Sequence, residues 1–132
     1  MYSLYFDGAS RKNPGPASFG GVIYNESGEE FDTYYKFIGT ATNNVAEYYG
    51  LLAGLHRARE LNIKELKVFG DSNLIIQQVT GKWKVKNDNL RAIYNQIKQV
   101  EPFFTVISYQ HVYRKDNKRA DQLANIALDT RG

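Results

Sequence analysis

The chain switches between two periods, and the order of those switches limits what it can fold into. From Glu29 to Ile38 the side chains alternate, with Phe31, Thr33, Tyr35 and Phe37 on one side and Asp32, Tyr34 and Lys36 on the other. That is the two-residue repeat of a β-strand. Two shorter β-prone runs precede it, Tyr2 to Phe6 and Phe19 to Tyr24, separated by the turn sequences NPGPAS and Asn25-Glu26-Ser27-Gly28. Short turns make the three strands antiparallel. From Asn44 to Leu61 the apolar residues Val45, Tyr48, Leu52 and Leu55 recur every three or four positions, the spacing of a helix face. A fourth strand, Lys64 to Phe69, follows this helical crossover and is therefore expected to run parallel to an earlier one. A short helix over Ser72 to Val79 is broken by Gly81. A second, Asn87 to Val100, carries Leu90, Ile93, Tyr94 and Ile97 and stops before Pro102. A fifth strand, Phe104 to Val112, and a last helix, Lys118 to Leu128 with Ala120, Leu123, Ala124, Ala127 and Leu128 inward, complete the order βββαβααβα. The expected fold is α/β: a mixed five-stranded sheet flanked by helices.

Composition narrows the chemistry. The 132 residues are expected to form one domain, enough to bury a core without cross-links, and no repeat, low-complexity tract or linker interrupts them. With no cysteine, disulfides, thiolate metal sites and a cysteine nucleophile are excluded. The remaining ligand types, carboxylates and two histidines, suit hard ions such as Mg²⁺ or Mn²⁺. The N-terminus MYSLYFDGAS reads as neither a signal nor a transit segment, and no run approaches the length of a membrane span, so a cytoplasmic location is expected. The net charge of +3 is too mild to prove a polyanionic partner. Its distribution says more: Arg11-Lys12, Lys82, Lys84 and Lys86 around Trp83, and Arg114, Lys115, Lys118 and Arg119 form clusters. Charge interleaved with an aromatic ring suits a phosphate backbone, although each cluster also reads as a solvated face.

Four carboxylates stand where such a fold could gather them: Asp7 in YFDGAS, Glu47 in NNVAEYYGLL, Asp71 in VFGDSNLIIQQ and Asp121 in NKRADQLAN. Asp7 and Asp71 end β-prone runs, Glu47 falls in the first turn of a helix and Asp121 near the start of the last one. In α/β sheets, functional groups lie beyond strand ends where the strand order switches. Each acid alone has a structural reading as well. Asp7 suits a turn before Gly8, Asp71 a helix cap, Glu47 the positive end of a helix dipole, and Asp121 an ion pair with Lys118. Taken together, they point to a divalent-metal site and a nuclease.

The segments around these acids, DGASRKNPGPASFG, TNNVAEYYGLLAGL, GDSNLIIQQ and HVYRKDNKRADQLAN, resemble in order and spacing the four motifs of type 1 ribonuclease H, over nearly the whole chain. The resemblance implies an endonuclease that hydrolyses the RNA strand of an RNA–DNA hybrid with two Mg²⁺ ions, Mn²⁺ being a substitute, and leaves 3′-hydroxyl and 5′-phosphate ends. It implies that Asp7 serves both ions, Asp121 the water-side ion, and Glu47 with Asp71 the leaving-group ion. His111, ten residues before Asp121, matches an auxiliary histidine on a mobile loop that moves a proton or assists product release, a task suited to an imidazole. His56 belongs to no motif and reads as solvated.

By motif position, Asn13, Asn43, Asn44, Asn73 and Gln77 are candidates to read the 2′-hydroxyl, the group that distinguishes RNA from DNA. Thr42 is a candidate for a DNA-strand phosphate, and Trp83 and Arg114 for further substrate contacts. Asn13 is equally a turn residue, and Thr42 and Asn43 are natural helix caps. Some members of the family carry a longer basic protrusion after the third motif, whereas here VTGKWKVKN joins the two helices. Weak hybrid affinity, low processivity and salt sensitivity are therefore expected. Cleavage of double-stranded RNA stays open. A monomer without an obligate protein partner is expected. Two alternatives stand beside the enzyme: a hybrid-binding module of the same fold without catalysis, and a related DNA nuclease.

Overall fold

A computed structural model describes residues 1–131 of the chain. Its elements follow the expected order: β1 (Tyr2–Ser10), β2 (Gly15–Tyr24), β3 (Glu30–Ala41), α1 (Asn43–Glu60), β4 (Glu65–Gly70), α2 (Asn73–Val79), α3 (Asp88–Val100), β5 (Val106–His111) and α4 (Lys118–Thr130). The five strands form one sheet in the order β3-β2-β1-β4-β5. The turns keep β1–β2 and β2–β3 antiparallel, while the helical crossovers make β4 parallel to β1 and β5 parallel to β4.

Alternation along the strands sends successive residues to opposite faces. On one face Leu4, Phe6, Ile23, Leu66 and Val68 pack against Tyr48, Leu51 and Leu55 of α1, Ile75 of α2, and Ile93 and Ile97 of α3, all buried. On the other face α4 lies across β1, β2 and β3. It buries Ala120, Leu123, Ala124, Ala127 and Leu128 as the periodicity predicts, and the Ser18 hydroxyl bonds the Ala124 carbonyl at 2.5 Å. Two glycines permit the close approach of these layers. A β-carbon on Gly20 would stand 2.5 Å from the Ala124 nitrogen, and one on Gly8 2.3 Å from the Glu47 nitrogen.

Local chemistry sets the helix starts. Thr42 accepts from Val45 N–H at 3.2 Å, Ser72 from Ile75 N–H at 3.4 Å and Asn87 from Leu90 N–H at 3.0 Å. The cap of α2 is thus Ser72, which leaves the Asp71 carboxylate free of that task. The alternation of β3 gave two faces but not which one packs. Tyr34 and Asp32 turn towards α1, Tyr34 donating to the Gly50 carbonyl at 2.7 Å and Asp32 holding Arg57 through bonds of 2.8 and 2.9 Å. Phe31 and Tyr35 are exposed.

Three expectations need correction. Asp7 does not end its strand: β1 continues to Ser10 because β2 still pairs with it, Asp7 standing opposite Gly20. Glu47 lies beyond the first turn of α1, which begins at Asn43 and has no acid in that turn. The fifth strand starts at Val106 rather than Phe104, because a 3-10 turn over Glu101–Phe103 intervenes.

Candidate active site

The sheet forks where β1 leaves β4. Their parallel pairing stops at Phe6 opposite Gly70, whereas β1 and β2 stay paired through Ser10 opposite Ala17. Asp7 and Asp71 are the next residues on the two diverging strands, so both carboxylates point into the opening. Glu47 reaches it from α1, its Oε1 accepting the Gly8 N–H at 2.9 Å. Asp7, Glu47 and Asp71 each offer an oxygen within 4.8 Å of the others. Asp121, in the first turn of α4, joins them in lining an open cavity of about 410 Å³. The four acids thus arrive from β1, α1, the end of β4 and α4, as the order of the motifs implied.

Their electrostatics are those of crowded, partly buried carboxylates. Burial pushes the Asp7 carboxyl up to about 7, hydrogen bonding to Glu47 opposes this, and the charges of Asp71 and Asp121 add to it. Glu47 is driven well above the usual carboxylate range, first by burial and then by the charge of Asp7. Glu47 Oε2 is buried without a hydrogen-bond partner. A divalent cation would supply what this oxygen lacks and relieve the repulsion. Hard carboxylate oxygens are the donors that Mg²⁺ and Mn²⁺ prefer, so the residues fit such ions.

Asn43, Asn44 and Arg114 line the same cavity, together with Ser10 and Ser72. The other candidates lie outside this lining. Asn13 accepts the Asn43 N–H at 2.9 Å, and so braces the start of α1, while Thr42 caps that helix. Asn73 accepts from Gln77 on α2 at 3.2 Å. His111 ends β5 opposite Gly70, with Nε2 3.3 Å from the Asp71 carbonyl. It belongs to a strand end rather than to a loop, at the margin of the acid cluster. His56 is exposed on α1, as expected.

Trp83 is 47% exposed on the segment between α2 and α3, away from the acids. That segment is tethered from beneath: Lys82 and Trp83 N–H groups donate to the Gln77 carbonyl, and Gln78 Nε2 to the Lys84 carbonyl at 3.3 Å. Gln78 is itself buried and takes the Tyr48 hydroxyl at 2.6 Å. Lys82, Trp83, Lys84 and Lys86 therefore form an exposed basic and aromatic surface on an anchored backbone. The sequence reading passed over one residue of the site. Asn117 is buried and donates to Asp71 Oδ2 at 3.2 Å. Its place, directly before a helix and four residues ahead of Asp121, carries no local sign of a contact with Asp71.

The family profile described as reverse transcriptase-like matches residues 5–127. The bifunctional protein Rv2228c of Mycobacterium tuberculosis is 45% identical over 93% of this chain, a match that spans 34% of that protein. Ribonuclease HI of Halobacterium salinarum is 42% identical over 95% of the chain, and the match spans 63% of it. The chain thus spans about a third of the first relative and under two-thirds of the second. The crystal structure of the Halobacterium enzyme superimposes with a TM-score of 0.95 over 98% of both chains at 41% identity. That of LC11-RNase H1 in complex with an RNA/DNA hybrid gives 0.94 over 98% of both chains at 36% identity. With this fold, the four acids on its shared framework and relatives of this identity across the whole site, the chain belongs to the type 1 ribonuclease H family.

Proposed function

We propose that this chain is a metal-dependent endoribonuclease that cuts the RNA strand of RNA–DNA hybrids, residues 1–132 acting as one catalytic domain. The observation that carries the reading is the acid cluster: Asp7, Glu47 and Asp71 within 4.8 Å, with Asp121 lining the same cavity. All four acids of the reading are present, which favours an enzyme over a binding module of the same fold. Support for the substrate comes from LC11-RNase H1, 36% identical and solved with a hybrid bound.

Two Mg²⁺ ions, or Mn²⁺ in their place, are the cofactors in this reading. Asp7, Glu47, Asp71 and Asp121 would hold them, Asp7 serving both ions, Asp121 one and Glu47 with Asp71 the other. Bound there, such ions supply a nucleophilic water at neutral pH and neutralise charge on the phosphate and the departing 3′ oxygen. The chain's own groups do the rest. The Gly8 N–H fixes the orientation of Glu47 through Oε1 and leaves the buried Oε2 without a partner. Asn43 and Asn44, at the exposed start of α1 beside the acids, offer donors and acceptors to a 2′-hydroxyl. Asn13, Thr42, Asn73 and Gln77 extend that polar surface along the duplex. Arg114 contacts a phosphate beside the reacting one, and Trp83 with its lysines holds the hybrid farther along. His111, through the imidazole nitrogen next to the Asp71 carbonyl, carries a proton at the leaving side. The products have 3′-hydroxyl and 5′-phosphate ends. In this reading the one chain supplies all four acids, and a monomer suffices for the reaction. A cytoplasmic location belongs to the same proposal. No helix among the described residues is long and apolar enough to cross a membrane.

The test presents one labelled strand as RNA–DNA hybrid, double-stranded RNA, double-stranded DNA or single-stranded RNA, with Mg²⁺, Mn²⁺ or chelator. The expected result is metal-dependent cutting of RNA in the hybrid. Hybrid binding without cutting in either metal refutes the enzyme in favour of the binding module, and cutting of duplex DNA makes it a DNA nuclease.

A further inference from the structure

No part of the proposed reaction uses Asn117, yet its side chain is 2% exposed in the middle of the strand fork. It stands at the N-cap of α4 and does not cap it. The amide turns into the sheet instead, donating from Nδ2 to the Phe6 carbonyl at 2.9 Å and to Asp71 Oδ2 at 3.2 Å. Its backbone carbonyl accepts the Asp121 N–H at 3.2 Å. A single residue thus touches the peptide just before Asp7, the carboxylate of Asp71 and the backbone of Asp121.

This arrangement carries a cost. Asn117 Oδ1 is buried with no partner, which a residue serving stability alone would avoid. A flipped amide would set that oxygen against the Phe6 carbonyl and the Asp71 carboxylate, acceptor facing acceptor, so the orientation is forced. A helix cap would have met a free N–H of α4. What the geometry gains is two donors that link β1, at the last residue paired with β4, to Asp71 just beyond the end of β4.

We propose that Asn117 is a positioning residue. By bonding Phe6 and Asp71 together it sets the separation of Asp7 from Asp71 and fixes the Asp71 carboxylate, and so tunes the affinity of the cluster for a divalent cation. This rests on the metal-dependent reading above. Asp71 is half-buried beside Asp7 and Glu47. Without the amide, repulsion turns its carboxylate towards water. Outer partners of metal-binding groups typically contribute about 10–100-fold to metal affinity.

The experiment measures Mn²⁺ affinity by calorimetry for the unmodified protein, Asn117→Ala and Asn87→Ala, with melting temperature in chelator and kcat and KM on hybrid. Asn87→Ala removes the cap of α3 and serves as a stability control. The expected result for Asn117→Ala is Mn²⁺ binding about 10–100-fold weaker, a higher Mn²⁺ midpoint for cleavage, lower kcat and unchanged KM. Asn87→Ala should melt earlier at unchanged Mn²⁺ affinity. Equal Mn²⁺ affinity in Asn117→Ala and the unmodified protein overturns the proposal even if the variant melts earlier. Should Asn117→Ala not fold, the side-chain amide protons of Asn117 in the unmodified protein decide by nuclear magnetic resonance. They are expected to shift on addition of Mg²⁺, and no shift overturns the proposal. Failure of the unmodified protein to bind Mn²⁺ or cut hybrid refutes the proposed function instead.

Discussion

Replacing Gly8 by alanine should separate the acids without touching any of them. A β-carbon at this position would lie 2.3 Å from the Glu47 nitrogen, 2.4 Å from the Ala46 carbonyl carbon and 2.8 Å from the Ala46 oxygen. Ordinary contact begins at 3.4 Å, so the start of α1 must retreat by about 1 Å. The obstacle is helix backbone rather than the end of a flexible side chain, so no rotamer change relieves it. Retreat also stretches the Gly8 N–H bond to Glu47 Oε1, now 2.9 Å, and withdraws Glu47 from Asp7 and Asp71. Overpacking of this kind costs about 1–3 kcal/mol. For a chain of this size that corresponds to a fall in Tm of roughly 5–15 °C. Misplacement of a reacting group by about 1 Å costs on the order of 10²-fold in rate. Hybrid cleavage at saturating Mg²⁺ is the assay, with Tm and hybrid binding measured alongside. The expected variant is folded, binds hybrid and has kcat lowered about 100-fold. Retention of kcat within a few-fold of the unmodified protein would show that the contact between Gly8 and α1 does not set the spacing of the acids.

Other perturbations address single groups. Asp7→Asn should abolish hybrid cleavage while leaving folding and hybrid binding intact, and full activity would overturn the metal assignment. In chelator, Asp7 should also make stability fall with rising pH. Its folded value of about 7 lies above the ordinary 3.8, so the native state holds the proton more tightly. The contribution of Asp7, shared with Glu47 whose carboxyl is raised in the same way, is fully present below about pH 4 and is lost as pH rises through about 7. Asp7→Asn should flatten that part of the Tm profile, and an unchanged slope refutes the assignment to Asp7. Arg114→Ala should weaken hybrid binding equally for all sequences and reduce the salt slope by about one; an unaltered slope removes the residue from phosphate contact. His111→Ala should slow turnover by about 10²-fold at most with little change in KM, and complete loss of chemistry would place it among the essential groups.

How far the sequence alone leads depends on whether a signal is local. The nine elements were legible because periodicity, turn residues and caps act within a few positions: the inward stripe of α4 fell where expected, as did the parallel fourth strand. The acids were legible as a set because each sits in a recognisable segment, although no single one separates itself from a turn or capping residue. Where β1 ends was not legible. Asp7 looks terminal in YFDGAS, but β2 continues to pair beyond it while β4 does not. Pairing between segments distant in sequence leaves no mark on the run itself.

The residues determined the element order, the hard-oxygen character of the acidic segments and which four acids to look for, all properties of side chains and their near neighbours. The tertiary structure alone decided how those acids meet. The fork between β1 and β4 sets Asp7 beside Asp71, and the contact of α1 with Gly8 brings in Glu47. The same packing buries Asn117, 111 residues from Phe6, where its amide joins β1 to the residue that follows β4. Such contacts depend on how layers pack across the sheet, and the free energy that selects them belongs to the packed pair rather than to either segment.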